Sequence, residues 1–99
     1  MEEKETVSFT PPDRTEHPDP VKSILLAEDD PELNKYLSQA LGEYYEVFTC
    51  FNGEVALHQI LKKLPDIVLS DVMMPGISGF ELTRRIKENP EICHIPVIL

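Results

Sequence analysis

Three short apolar runs, Ile24-Leu25-Leu26-Ala27, Ile67-Val68-Leu69 and Pro96-Val97-Ile98-Leu99, alternate with stretches of helical spacing. Runs this short and this rich in branched side chains suit strands buried on both faces, as in a parallel sheet covered by helices. Leu33, Tyr36, Leu37, Ala40 and Leu41 fall at i, i+3, i+4, i+7 and i+8, and Asp30-Pro31 supplies a capping acid followed by a first-turn proline. Gly42 is the expected stop. Leu57, Ile60, Leu61 and Leu64 repeat the helical spacing after an Asn52-Gly53 turn, and Pro65 ends that helix. A third helix is predicted from Gly79 to Lys87, with Leu82 and Ile86 inward, closing at Asn89-Pro90. Tyr45 to Cys50 alternates polar with apolar residues and reads as a less buried edge strand.

The resulting order, β-α-β-α-β-α-β, predicts a doubly wound parallel α/β sheet with right-handed crossovers. With the fully apolar first strand at the centre, the edge-like second strand falls on one side and the third and fourth on the other. Strand order 2-1-3-4 places a topological switch point between strands one and three, and ligands of such sheets bind beyond the carboxyl ends at that point. Glu28-Asp29 directly follows the first strand, and Asp71 follows the third. The two acidic stretches are expected to share one crevice.

Carboxylates gathered within a few ångströms repel, and a divalent cation or a raised pKa relieves them. Hard oxygen donors with no His or Cys beside them favour Mg²⁺, which prefers one or two carboxylates together with phosphate oxygens. Asp30 is read as the helix cap instead, since the residue before Pro31 is placed to accept the first N–H groups.

The segments Leu25-Leu26-Ala27-Glu28-Asp29-Asp30 and Ile67-Val68-Leu69-Ser70-Asp71-Val72-Met73-Met74-Pro75-Gly76, with Gly79 opening a helix, resemble the receiver domain of two-component response regulators from about Lys22 to Leu99. The resemblance implies a flavodoxin-like fold and makes Asp71 the phosphoacceptor for a kinase phosphohistidine. It implies Mg²⁺ on Asp29, on Glu28 directly or through water, and on the backbone carbonyl of Met73, with the Asp71 carboxylate completing the set. Histidine kinases or phosphotransfer domains are the implied partners. Such a domain accepts a phosphoryl group rather than turning over a substrate, whereas a hybrid parent chain would be a histidine kinase.

The family continues past its fourth strand with a Ser or Thr, then a fifth strand ending in Lys, and two further helices. This chain stops at Leu99, so the expectation is a receiver lacking the fifth strand and last two helices, with impaired switching. An uncovered sheet face and an open fourth strand are then expected to promote self-association. Two other readings stay open. One is a non-catalytic receiver-like interaction module. The other is a Mg²⁺-dependent phosphohydrolase with an aspartyl-phosphate intermediate, which is opposed by Met73 where that chemistry uses a second Asp.

Charge sharpens the picture. The 99 residues carry 18 acidic against 9 basic side chains, a net charge of −9, which argues against bare nucleic acid or an anionic membrane as partner. No apolar run approaches the roughly 20 residues of a membrane span, so a cytoplasmic, soluble domain is expected. Residues 1–21 are acidic, proline-rich and nearly devoid of apolar side chains, and are expected to form a disordered linker of the kind that precedes the receiver of a hybrid sensor kinase. Residues 22–99 form the domain. Cys50 and Cys93 lack ligand spacing and are read as reduced thiols packed like small apolar groups. His58 and His94 are read as solvated, Lys62-Lys63 and Arg84-Arg85 as solubilising pairs, and one of Met73 and Met74 as buried beneath the acidic loop.

Overall fold

The computed structural model describes residues 22–99; the expected linker over 1–21 lies outside the described residues. The elements are β1 (Ser23–Ala27), α1 (Pro31–Leu41), β2 (Glu46–Cys50), α2 (Gly53–Lys63), β3 (Ile67–Ser70), α3 (Gly79–Glu88) and β4 (Val97–Ile98). All neighbouring strands are parallel, in the order β2-β1-β3-β4. The fold is therefore the doubly wound parallel sheet anticipated from the apolar runs, with the flavodoxin-like strand order that the resemblance implies. Register puts Ala27 opposite both Cys50 and Ser70, so three strands end level at the crevice.

Each helix starts where its sequence supplies an oxygen for the free N–H groups. Asp30 Oδ1 accepts from the amides of Glu32 and Leu33 at 3.0 and 3.4 Å. Asn52 Oδ1 accepts from Val55 N at 2.8 Å, so Asn52-Gly53 is the start of α2 as well as a turn. Ser78 Oγ accepts from Glu81 N at 3.1 Å and caps α3.

One face of the sheet carries the main core. Leu25, Ala27, Cys50 and Val68 pack with Ala56 and Ile60 of α2, Leu82 and Ile86 of α3, and Ile92 and Ile95 of the following turn. By the alternation of a strand, Ile24 and Leu26 point to the other face, where α1 lies against β1 and β2.

Four local expectations are corrected. Leu33 and Tyr36, read as part of the apolar stripe of the first helix, are 42% and 68% exposed, and Asn34 is the one α1 residue that is buried. The helical period identifies an apolar stripe, but no neighbouring helix among the described residues covers this one. Leu64 does not extend the apolar face of α2. It ends the helix in the left-handed region at φ 50° and is exposed, donating its N–H to Ile60 O at 2.9 Å because Pro65 bars a further turn. Cys93 is free but exposed, whereas Cys50 is free and buried as expected. The last strand is shorter than its apolar run, since only Val97 and Ile98 pair, with Val68 and Leu69.

Candidate functional site

Glu28 continues the line of β1: its amide donates to Cys50 O at 3.1 Å, which seats the residue at the end of the sheet and buries its side chain. The carboxylate Oε2 accepts from Asp30 N at 3.0 Å. Burial raises the Glu28 carboxyl above its ordinary range, and the nearby anions Asp71, Asp29 and Asp30 add to this, opposed by the Asp30 N–H. Asp29 is exposed at the mouth of the crevice.

Asp71 leaves β3 at the same level. Its amide donates to Ala27 O at 2.9 Å, and its carbonyl accepts from the buried Ser70 hydroxyl at 2.9 Å. One carboxylate oxygen each from Glu28, Asp29 and Asp71 lies within 4.8 Å of the other two. The strand order thus brings together, across the β1–β3 seam, three acids that the chain separates widely.

The loop beyond Asp71 is held from both ends. Met74 is buried, with its sulfur 4.0 Å from Ser70 Oγ, whereas Met73 is 76% exposed, matching the expectation of one buried methionine. Gly76 turns the chain at φ +76°. Gly79 N donates to Val72 O at 2.8 Å, and a Cβ at Gly79 would run into the carbonyl of Asp71 and the Cα of Val72. Absence of a side chain at Gly79 therefore lets α3 begin directly against the acidic loop.

The donor set suits a hard cation. All three side chains offer oxygen, one is buried and destabilised as an anion, and spacing within 4.8 Å is compatible with a shared ion. A separate cleft of about 290 Å³, lined by Lys22, Ser23, Ile24, Tyr45, Asp66, Ile67 and Pro96, opens at the opposite ends of the strands, away from these acids.

A family model described as "Response regulator receiver domain" matches residues 24–99. The chain belongs to this family. Its receiver segment is 48% identical over 77 residues to Response regulator PleD of Caulobacter vibrioides, covering 76% of this chain and 17% of that protein. It is 33% identical over 76 residues to Hybrid signal transduction histidine kinase D of Dictyostelium discoideum, covering 77% of this chain and 5% of that protein. Among solved structures, the N-terminal domain of a response regulator receiver protein from Methanoculleus marisnigri is similar at a TM-score of 0.73 and 36% identity, over 76% of this chain and 62% of that one. The signal receiver domain of a histidine kinase from Syntrophus aciditrophicus is similar at a TM-score of 0.74 and 35% identity, over 77% of this chain and 58% of that one. The chain spans less than a fifth of the full-length PleD and kinase relatives.

The remaining candidates lie apart from the receiver site. His58 and His94 are exposed. Lys62 and Lys63 are exposed, with Lys63 Nζ 5.0 Å from the centre of the Phe48 ring. Arg84 pairs with Glu81 and, at 2.9 Å, with Glu88, and Arg85 pairs with Glu81 at 3.0 Å, so this basic pair is matched on its own helix. No helix among the described residues is long and apolar enough to cross a membrane. Reading the residues by type missed Asn34 and Ser70, the two buried polar side chains beside the acids. A carboxamide at the inward edge of a helix, between a cap and an apolar stripe, was the available signal.

Proposed function

We propose that Asp71 is the phosphoacceptor of a two-component phosphorelay and that Glu28, Asp29, Asp71 and the backbone carbonyl of Met73 hold the Mg²⁺ that receiver chemistry requires. The meeting of three carboxylates within 4.8 Å at the β1–β3 switch point, in a chain of the receiver family, carries this reading. When bound, Mg²⁺ neutralises charge shared by the carboxylates and an incoming phosphoryl group. A carboxylate nucleophile needs no general base to remove a proton before it attacks. One oxygen of the Asp71 carboxylate forms the new O–P bond while the P–N bond to a kinase imidazole breaks, the electron pair remaining on that nitrogen. Glu28 and Asp29 orient the site from the β1 end, and the Asp71 N–H bond to Ala27 O fixes the nucleophile relative to them.

The partner is a histidine kinase or a phosphotransfer domain. Similarity to a hybrid histidine kinase and to the receiver domain of another histidine kinase supports a receiver joined to a kinase in one chain, and the reading places that receiver in the cytoplasm. A further partner is a second copy of this chain, meeting it through β4 and the open α1 side of the sheet. The test is labelling by a small phosphodonor with Mg²⁺. Wild-type protein is expected to acquire an acid-stable, base-labile phosphoryl group, and Asp71→Asn to acquire none; undiminished labelling of the variant would remove Asp71 from the role.

A further inference from the structure

Asn34 is 3% exposed in a helix whose apolar residues remain largely open, an inversion of the usual distribution. Burying a carboxamide is unfavourable unless its hydrogens find acceptors. Here the side-chain nitrogen donates to Glu28 O at 3.0 Å and to Cys50 O at 3.1 Å, and the backbone N–H of the same residue donates to Asp30 O at 2.8 Å. The carbonyls on either side of Asp29 are therefore both held by one residue. Cys50 O also receives the amide of Glu28 at 3.1 Å, so the end of β2, the acidic loop and α1 converge on one carbonyl.

Resting on the metal reading above, we propose that Asn34 is a positioning residue for Mg²⁺ binding. Its side-chain nitrogen acts through the backbone carbonyls of Glu28 and Cys50 and ties the segment that presents the Glu28 and Asp29 carboxylates to the end of β2. Three anions within 4.8 Å push one another apart. Without that tie, the β1–α1 loop relaxes outward, and the cation must then draw it back on binding. Groups behind metal ligands commonly change metal affinity by about 10- to 100-fold when removed. Neither Glu28 nor Asp29 loses an atom in this case; only their placement changes.

Asn34→Leu keeps the branching and the number of non-hydrogen side-chain atoms while removing both donors, and Asn34→Ala removes the donors together with most of the side chain. Mg²⁺ titration by calorimetry, beside urea unfolding in EDTA, is expected to show a Kd raised about 10-fold or more in whichever variant remains folded. Phosphodonor labelling should slow at low Mg²⁺ and recover at saturating Mg²⁺. A folded variant with Kd within about twofold of wild type overturns the proposal. On the unaltered chain, the Asn34 side-chain amide protons should exchange slowly with solvent, and their resonances should shift with the same Mg²⁺ dependence as those of Asp71; free exchange and no shift would equally overturn it. Loss of the underlying reading looks different: wild type itself then binds no Mg²⁺ saturably, or Asp71→Asn leaves both Kd and labelling unchanged.

Discussion

The Asp71 amide donates to the Ala27 carbonyl at 2.9 Å, joining the residue beyond β3 to the last residue of β1. Through that bond the proposed nucleophile sits one residue from Glu28 across the central seam, and its placement depends on sheet pairing rather than on side-chain packing. Changes that shift the strand ends should therefore disturb the chemistry even when every acid is retained.

Gly79→Ala is the sharpest such change. The new methyl would meet backbone atoms of Asp71 and Val72, which cannot yield as a side chain would. The expected cost is about 1–3 kcal/mol of stability from overpacking. Labelling of Asp71 should also slow when compared at temperatures where the variant is folded. Urea midpoints and labelling time courses check both.

Removing Mg²⁺ should lower thermal stability. At a free concentration ten times Kd, one bound ion stabilises the folded state by about 1.4 kcal/mol. Asp71→Asn removes one anion from the cluster, so it should be more stable than wild type in EDTA by about 1 kcal/mol. It should also gain less from added Mg²⁺. Melting curves with and without chelator separate the two effects.

Asp66 offers a pH test remote from the acids. Its Oδ2 accepts from Ser23 N at 2.7 Å and from Ser23 Oγ at 3.2 Å, and the Ser23 N–H holds its carboxyl below the ordinary value of 3.8. A depressed carboxyl contributes stability above its unfolded pKa, and that contribution is lost as pH falls through the lower folded value. Asp66→Asn should therefore be less stable than wild type at pH 7, with the difference shrinking below about pH 4. Urea unfolding across pH 3–7 reads this directly.

The open side of the sheet should make the 99-residue chain associate. Leu33 and Tyr36 of α1 are exposed, and Ile98 is 50% exposed on β4, whose outer edge has no partner among the described residues. Sedimentation is expected to show a weight-average mass that grows with concentration, and Ile98→Lys should shift it toward monomer. A monomer at all concentrations would count against self-association.

What was legible in the residues divides along physical lines. The strand order followed from the difference between uninterrupted runs such as Ile24–Ala27 and the alternating Tyr45–Cys50, because burial on two faces leaves a different pattern from burial on one. Asp30 was readable as a cap because its effect is local. Leu33 and Tyr36 were misplaced because periodicity reports which side of a helix is apolar, not whether another element covers it. Asn34 escaped notice for the converse reason. Its acceptors belong to Glu28 and to Cys50, and only the β1–β2 register shows that these lie together.

The pairing of Ala27 with both Cys50 and Ser70 also bears on how the domain comes into being. During synthesis Glu28 and Asp29 leave the ribosome well before Asp71, and no partial product short of β3 can gather the three anions. The repulsive cluster therefore forms late, against contacts of long sequence separation that close slowly. Until the β1–β3 seam has paired, a newly made chain holds Asp71 apart from Glu28 and Asp29, so the proposed metal and phosphoacceptor site exists only after that pairing.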